Sequence, residues 1–174
     1  MALNPPLCPH DGDPYRVAGE HFIIHRKGCE FELKIDGMGK LKGKGKMILT
    51  TLRLVLLNCD GGGDLKAFDI PHGNTFKEKF NQPFFGANYW EGKCLPLFNS
   101  LPGNVTFKVW FMEGGCSGFN RVYRNTLQNI RNKRSQEQLA AEVSSSAFKQ
   151  QFALIDPSDP SVIYVQQPAM MPSQ

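Results

Sequence analysis

The sequence has no apolar run near the roughly 20 residues that a membrane-spanning helix requires. Its first residues, "MALNPPLCPHDGDPY", lack the charged segment and the apolar core of a secretory signal. It neither begins with Met-Gly nor ends in a prenylation box, so no lipid anchor is expected. We therefore expect any membrane contact of this chain to be peripheral.

Cysteine is sparse, and its spacing is not that of a disulfide framework or a zinc site. The five cysteines are odd in number, widely scattered and without a CxxC pair. This pattern favours reduced thiols, which are typical of the cytosol and the nucleus. We expect a cytoplasmic and/or nuclear protein, with peripheral membrane contact as a further option.

Motifs of catalysis and cofactor binding are also missing. The glycine-rich stretches do not have GxxxxGK[ST] spacing, and no GxSxG elbow occurs. His21 and His25 share one face of a predicted strand, but no further ligand follows at metal-site spacing. Cys116 lies near a predicted helix N-terminus, where a thiol pKa can fall, but no histidine is near it in sequence. The sequence therefore predicts no catalytic residue, metal site or cofactor, and we do not expect an enzyme.

Composition divides the chain into three parts. Residues 1–19 contain four prolines and several turn formers, and predict a loose N-terminal arm. Residues 20–144 hold the periodic apolar pattern of a folded domain. Residues 145–174, with "DPSDPS" and "QQPAMMPSQ", predict a mostly flexible C-terminal tail.

Within the domain, about seven short strand patterns precede one helix pattern. In "NVTFKVWF" apolar residues alternate with polar ones and Trp110, so one face of that strand is predicted to lie in the core. After Cys116 the apolar spacing changes to three or four residues, which predicts an amphipathic helix extending to about Val143. This order predicts an α+β fold, a partly open β-barrel capped by a C-terminal helix.

The stretch "GKLKGKGK" places a lysine at every second residue: Lys40, Lys42, Lys44 and Lys46. In an extended chain all four project from one face, about 7 Å apart. They are within the Debye length of about 8 Å at physiological salt and so repel one another. Two interpretations stay open: the solvated face of a strand protected against unwanted pairing, or a weak anion-binding surface contributing roughly 4 kcal/mol at an anionic membrane.

The densest aromatic cluster lies in "NTFKEKFNQPFFGANYWEG". Phe84, Phe85, Tyr89 and Trp90 are candidates for a partner-binding loop, and packing in the core is the alternative. Aromatic residues interleaved with lysines are also typical of single-strand nucleic-acid surfaces. Nucleic acid is the less favoured partner here.

Several segments resemble GRAM-domain proteins of the WW-domain-binding-protein-2 type: "GKGKMILTTLRLVLLN", "LKAFDIP", "EKFNQPFFGANYWEG" and "FKVWFMEGGCSGF". The opening "MALNPP" is similar to plant and protist members of that family, and the resemblance covers about residues 1–130. It implies a pleckstrin-homology-like fold, a seven-stranded, partly open barrel with a C-terminal helix. It also implies a non-enzymatic adaptor that binds phosphoinositides, other anionic lipid headgroups or a protein.

On this basis Lys40, Lys42, Lys44 and Lys46 form the predicted lipid-binding set, with Arg53 as an addition. The alternative function implied by the family is a nuclear transcription coactivator associated with chromatin, with the basic cluster at 131–134 as an import or nucleic-acid patch. The family's PPxY motif is absent from the chain, so recognition by WW domains is not expected.

Overall fold

The computed structural model of the protein describes residues 2–61, 63–97, 100–131, 154–156 and 159–164. Within them, seven strands precede one long helix. These are β1 (Phe22–Ile35), β2 (Gly39–Thr50), β3 (Arg53–Asn58), β4 (Ala67–Pro71), β5 (Thr75–Asn81), β6 (Tyr89–Cys94), β7 (Val105–Phe111) and α1 (Cys116–Arg131). Two short strands follow in the C-terminal segment, β8 (Leu154–Asp156) and β9 (Asp159–Tyr164).

The first seven strands form one antiparallel sheet in the order β4-β3-β2-β1-β7-β6-β5. Strands β1 to β4 pair in sequence order, as do β5 to β7, and the pairing of β1 with β7 joins these two halves of the sheet. The sheet curls into a half-barrel that stays open between its edge strands β4 and β5. The predicted seven-stranded, partly open barrel with one C-terminal helix is therefore confirmed.

Side chains alternate along β7 between the core and the outer face of the sheet, as its sequence predicts. Thr106, Lys108 and Trp110 are partly exposed on the outer face. Their neighbours in β7 are buried: Val105, Phe107, Val109 and Phe111. This period of two follows from the pleat of the strand and gives the sheet one apolar and one polar face.

Helix α1 packs its apolar stripe on the inner face of the sheet. The rings of Phe119 and Tyr123 stack with their centroids 5.6 Å apart, and Trp90 of β6 meets Tyr123 edge-on at 4.7 Å. Gly114, whose φ is 76°, turns the chain from β7 toward the helix, and this angle favours glycine. The predicted extension of the helix to Val143 lies outside the described residues.

The N-terminal segment 2–19, predicted to be a loose arm, packs against the outer face of the sheet. The amide of Asn4 donates a hydrogen bond to the carbonyl of Ala67 at 2.8 Å. Leu7 lies on a second apolar cluster made by Phe22, Ile48, Val55, Leu57 and Ala67. Covering this cluster removes apolar surface from water, a long-range gain that the local turn signals of the arm do not reveal.

Strands β8 and β9 pair with each other, and β9 meets β1 where Ile163 lies opposite His25. Both lie in the segment 145–174, for which the sequence predicts a mostly flexible tail, and the rest of that segment is outside the described residues. The predicted domain boundaries stay a prediction.

The described part of the chain contains no helix that is long and apolar enough to cross a bilayer.

Candidate functional site

The alternation of lysine and glycine in β2 has its cause on the inner face of the sheet. A Cβ atom on Gly43 would lie 2.5 Å from the ring of Phe31, and one on Gly45 would lie 2.3 Å from the carbonyl oxygen of Leu57. Neither position has room for a larger side chain. Since side chains alternate along a strand, the intervening lysines project from the outer face.

The structure places a carboxylate of β1 beside each of the first three lysines. The Nζ atoms of Lys40 and Lys42 lie 3.2 and 3.7 Å from the carboxylate of Glu32, and Nζ of Lys44 lies 3.3 Å from that of Glu30. The lysine side chains remain more than half exposed. Each pair therefore contributes at most about 1 kcal/mol of stability.

The four lysines of the stripe were expected to repel one another, and in the structure carboxylates of β1 offset part of this repulsion. Glu30 lies directly opposite Lys44 and Glu32 opposite Lys42 in the register of β1 and β2. The hydrogen bond from Lys40, together with the charges of both neighbouring lysines, lowers the pKa of Glu32 below its ordinary value. The neutralising charges come from the adjacent strand, so a search within β2 could not find them.

One row of side chains across the outer face alternates in charge. Its members, in strand order from β2 to β5, are Lys42, Glu32, Lys108, Glu91 and Lys79. The Nζ of Lys108 lies 3.5 Å from the carboxylate of Glu91, which continues the pairing across the sheet. Cross-strand pairs of opposite charge stabilise a sheet modestly, so this row is explained by stability alone.

A second row lies two residues closer to the β1–β2 turn, and it contains no acid. Its members are Lys40, Lys34, Thr106 and Lys93. Lys34 and Lys93 are exposed, and among the described residues neither forms an ion pair. We call Lys34, Lys40 and Lys93 the lysine row.

In the part of the outer face that runs from Lys40, Lys42 and Lys44 across the sheet to Lys79 of β5, which excludes Lys46 under the arm, lysines outnumber glutamates by seven to three. The lysines are at positions 34, 40, 42, 44, 79, 93 and 108, and the glutamates at 30, 32 and 91. The positive excess is largest at Lys34 and Lys93, which form no ion pair among the described residues, whereas Lys40 shares the carboxylate of Glu32 with Lys42. Only the strand register reveals this, since Lys34 lies on the preceding strand and Lys93 is far from the stripe in sequence.

Arg53, predicted as part of the lipid-binding set, lies under the N-terminal arm instead. Its guanidinium donates to Glu20 at 2.8 Å, to Asp69 at 3.1 Å and to the carbonyl of Tyr15 at 2.8 Å. Burial opposes its charge, but the hydrogen bond and charge of Glu20, and then of Asp69, hold the pKa of Arg53 above its ordinary value. A buried guanidinium with these partners anchors the arm and is not available to a ligand.

Lys46, the last lysine of the stripe, is also engaged by the arm. Its Nζ donates a hydrogen bond to the carboxylate of Asp13, which also lies 3.6 Å from Nε2 of His25. Burial lowers the pKa of His25, against the opposing charge of Asp13. The stripe thus divides after Lys44 into an exposed part and a part that holds the arm.

The four aromatic residues predicted to bind a partner differ in how far the structure exposes them. Phe84 and Phe85 are 97% and 89% exposed at the tip of the β5–β6 loop, whereas Trp90 is 1% exposed and packs in the core. Tyr89 is half-buried on the outer face, with its ring centroid 5.9 Å from that of Trp110. Because Tyr89 and Trp90 are consecutive in a strand, they must face opposite sides, a signal that was present in the sequence.

A groove of about 730 Å³ lies on the outer face between β2 and the β5–β6 loop. Its charged lining consists of Glu30, Glu32, Asp60, Lys42 and Lys44. Carboxylates outnumber lysines there, so the groove lacks the positive field that would favour a phosphate group. The lysine row, which lies outside the groove, is the stronger candidate for an anion.

The cysteine and histidine side chains give no reactive arrangement in the part of the chain that is described. Burial raises the pKa of Cys29 and of Cys94 to about 12, so neither is a thiolate near neutral pH. Cys116 is buried in the main core cluster. No three His, Cys, Asp or Glu side chains in the described ranges are grouped so that they could hold a metal ion. What the described surface offers is charge and apolar area for contacts.

No family model matches the chain. A UPF0664 stress-induced protein of Schizosaccharomyces pombe is 39% identical over 88 residues, which cover 50% of this chain and 51% of that protein. The chain thus spans about half the length of this curated relative. Among solved structures, the Vps36 N-terminal PH domain matches with a TM-score of 0.57 and 13% identity, over 76% of this chain and 95% of that domain. At this identity the match shows the fold alone, and the fold is PH-like.

Proposed function

We propose that this chain is a non-catalytic PH-like module that binds anionic lipid headgroups weakly through the lysine row. The PH-like fold is that of a lipid- or protein-binding module. The observation that carries the proposal is the excess of exposed lysines over glutamates on the outer face, which is largest along the row of Lys34, Lys40 and Lys93. Lys40, Lys42 and Lys44 are partly offset by Glu30 and Glu32, whereas Lys34 and Lys93 form no ion pair among the described residues.

The expected affinity is low. A basic residue near an anionic bilayer contributes about 1 kcal/mol, so the three lysines of the row contribute about 3 kcal/mol. Attraction of this size is reversible, and it weakens with salt because the charges are exposed and screened. The module is therefore suited to transient docking in which a second contact adds affinity.

We also propose that the chain is a GRAM-domain member of the WW-domain-binding-protein-2 type. Two of the segments that carry this resemblance form hairpins: "GKGKMILTTLRLVLLN" lies in β2 and β3, and "KFNQPFFGANY" spans the β5–β6 loop. The fold that the resemblance implies is the fold observed. The absence of PPxY makes a WW-domain partner unexpected.

The nuclear coactivator alternative is tested by the location of the protein in cells. Most of its basic cluster, residues 132–134, lies outside the described residues, so the structure adds no support for it. Imaging of the full-length chain in cells decides it, since a protein excluded from the nucleus cannot act there. A cytoplasmic, membrane-peripheral distribution is what the proposed function predicts.

The proposed function is tested by co-sedimentation with phosphatidylcholine vesicles that contain phosphatidylserine. The variant K34Q/K40Q/K93Q removes the lysine row, and K27Q/K66Q/K77Q removes the same charge from exposed positions outside it. We expect the first variant to lose about 100-fold in vesicle affinity and the second to lose little, because the field is local. Equal binding by the lysine-row variant and the wild type would reject the proposal. Equal losses of vesicle affinity in both variants would also reject the lysine row as the site, because net charge alone would then explain binding.

A further inference from the structure

The tip of the β5–β6 loop exposes two adjacent phenylalanine rings, the Phe84–Phe85 tip. The rings are 97% and 89% exposed, and their centroids are 5.8 Å apart. From Phe80 to Trp90 the chain carries no charged residue. Apolar rings left in water this completely are unfavourable for the free protein, and a binding partner that covers them removes that cost.

The base of the loop is held by several hydrogen bonds. Asn81 pairs with Tyr89 at the end of the hairpin, and its side-chain amide donates to Glu91 at 3.0 Å. The carbonyl of Asn88 accepts a hydrogen bond from the amide of Phe111 at 2.9 Å. The two rings are therefore presented from a fixed base, and covering them requires little further ordering of the chain.

Polarity changes in steps from the tip toward the sheet. Below the two phenylalanines, Tyr89 and Trp110 lie against each other, both partly exposed, and each carries one polar group on an apolar ring. Next comes Lys108, whose Nζ lies 5.4 Å from the centroid of the Tyr89 ring and 3.5 Å from the carboxylate of Glu91. Apolar, amphipathic and charged groups in this order match the acyl region, the boundary and the headgroup layer of a bilayer.

We propose that the Phe84–Phe85 tip inserts into the outer layer of a lipid bilayer. Two phenylalanine side chains bury at most roughly 300–500 Å², whereas a stable protein complex buries about 800 Å² on each partner. A fluid bilayer closes around a small convex tip and needs no complementary pocket. The unpaired backbone of the loop cannot enter the hydrocarbon, so only the two rings penetrate.

This inference rests on the proposed function for its choice of a lipid surface, but it does not require anionic lipid. Insertion is driven by apolar area, so it persists on neutral vesicles and at high salt. Contact through the lysine row disappears under both conditions. The two contributions are therefore separable in one set of measurements.

The test is co-sedimentation of the full chain with vesicles of phosphatidylcholine alone, at low and high salt. The variant F84S/F85S removes the tip, F84W/F85W replaces it with other apolar rings, and M38S/L95S removes two half-exposed apolar side chains elsewhere as the control. We expect F84S/F85S to lower partitioning by at least about tenfold, with M38S/L95S and K34Q/K40Q/K93Q close to the wild type. All substituted side chains are exposed, and circular dichroism confirms that each variant is folded.

F84W/F85W adds a direct readout of depth. Its tryptophan emission should shift to shorter wavelength on neutral vesicles and be quenched by brominated phosphatidylcholine. Failure of the wild type to bind neutral vesicles, or equal binding by F84S/F85S and the wild type, would overturn the proposal of insertion. A partner protein with a pocket for the two rings would then be the remaining candidate. Neither result bears on the lysine row, because binding through that row is measured only on vesicles that contain phosphatidylserine.

Discussion

The outer face of the sheet has two halves that use the same residue types in opposite ways. The open half, near the β1–β2 turn, carries the exposed Lys34, Lys40 and Lys93, of which Lys40 makes a solvent-exposed pair with Glu32. The covered half, toward the β2–β3 turn, places Lys46 and Arg53 against carboxylates under the N-terminal arm. Lysines and arginines that look equivalent in sequence thus divide into a surface for external anions and a set of internal anchors.

The difference shows what burial does to a basic side chain. An exposed ion pair contributes little, because water solvates both partners well and salt screens them. A buried charge must be fully paired, and it becomes costly when a partner is removed. Substitutions in the covered half should therefore change folding, and those in the open half should change binding.

The largest loss of stability is expected on substitution of Arg53. The substitution Arg53→Ala leaves the buried Glu20 carboxylate and the carbonyl of Tyr15 without their guanidinium partner. We expect the free energy of unfolding to fall by about 3–5 kcal/mol, measured by urea denaturation. Lys40→Ala is the matched control from the open half. A loss of unfolding free energy below about 1 kcal/mol for Arg53→Ala would show that its ion pairs contribute no more than exposed ones.

The next effect is a dependence of stability on pH at His72, whose ring centroid lies 5.7 Å from that of Tyr123 in helix α1. His72 is buried, its Nε2 donates to the carbonyl of Thr50 at 2.9 Å, and burial lowers its pKa to about 4. Since the folded pKa is below the unfolded value of about 6.5, this stability is full above about pH 6.5 and is lost as pH falls toward 4.

The lowered pKa of His72 corresponds to about 3 kcal/mol across that window. Urea denaturation of the wild type and of His72→Gln at several pH values measures the effect. The two curves should converge as the solution is acidified, because only the wild type carries the histidine. Parallel curves would show that His72 does not titrate in this way.

A smaller effect is expected at Gly45, between Lys44 of the open half and Lys46 of the covered half. Gly45→Ala places a Cβ atom 2.3 Å from a backbone carbonyl oxygen, so β2 or β3 must shift. We expect a loss of about 1–3 kcal/mol in the free energy of unfolding, detected as a lower thermal midpoint. Gly73→Ala, where nothing lies within 4 Å of the added atom, is the control. Equal effects of both substitutions would contradict the steric account of the glycines in the stripe.

The smallest effect is expected for the exposed pairs. Glu32→Gln removes the carboxylate shared by Lys40 and Lys42 and should cost less than about 1 kcal/mol of stability. It also leaves the open half more positive, so binding to anionic vesicles should increase severalfold. Unchanged vesicle binding would show that the field of this face does not control docking.

The fold could be predicted from the sequence because its signals are local. Alternation in β7 and the three-to-four spacing after Cys116 follow from the geometry of one strand and one helix. The opposite facing of Tyr89 and Trp90 is equally local, and the buried position of Trp90 agrees with the core-packing alternative for that residue.

The site was only partly predictable because its charges meet across strands. Glu30 and Glu32 neutralise part of the stripe only through the register of β1 and β2, and Lys34 and Lys93 meet Lys40 in one row for the same reason. The docking of the arm on Arg53 depends on contacts over more than thirty residues. Such pairings follow from the three-dimensional fold, and no local pattern in a single sequence encodes them.

Amide NMR of the labelled chain, titrated with lipid nanodiscs containing phosphatidylserine, compares the two halves in one experiment. The proposed docking predicts line broadening at Lys34, Lys40 and Lys93 that salt reverses, with the amides of Lys46 and Arg53 unaffected. Broadening centred on Lys46 and Arg53, or none on the outer face, would contradict the claim that the open half is the binding surface.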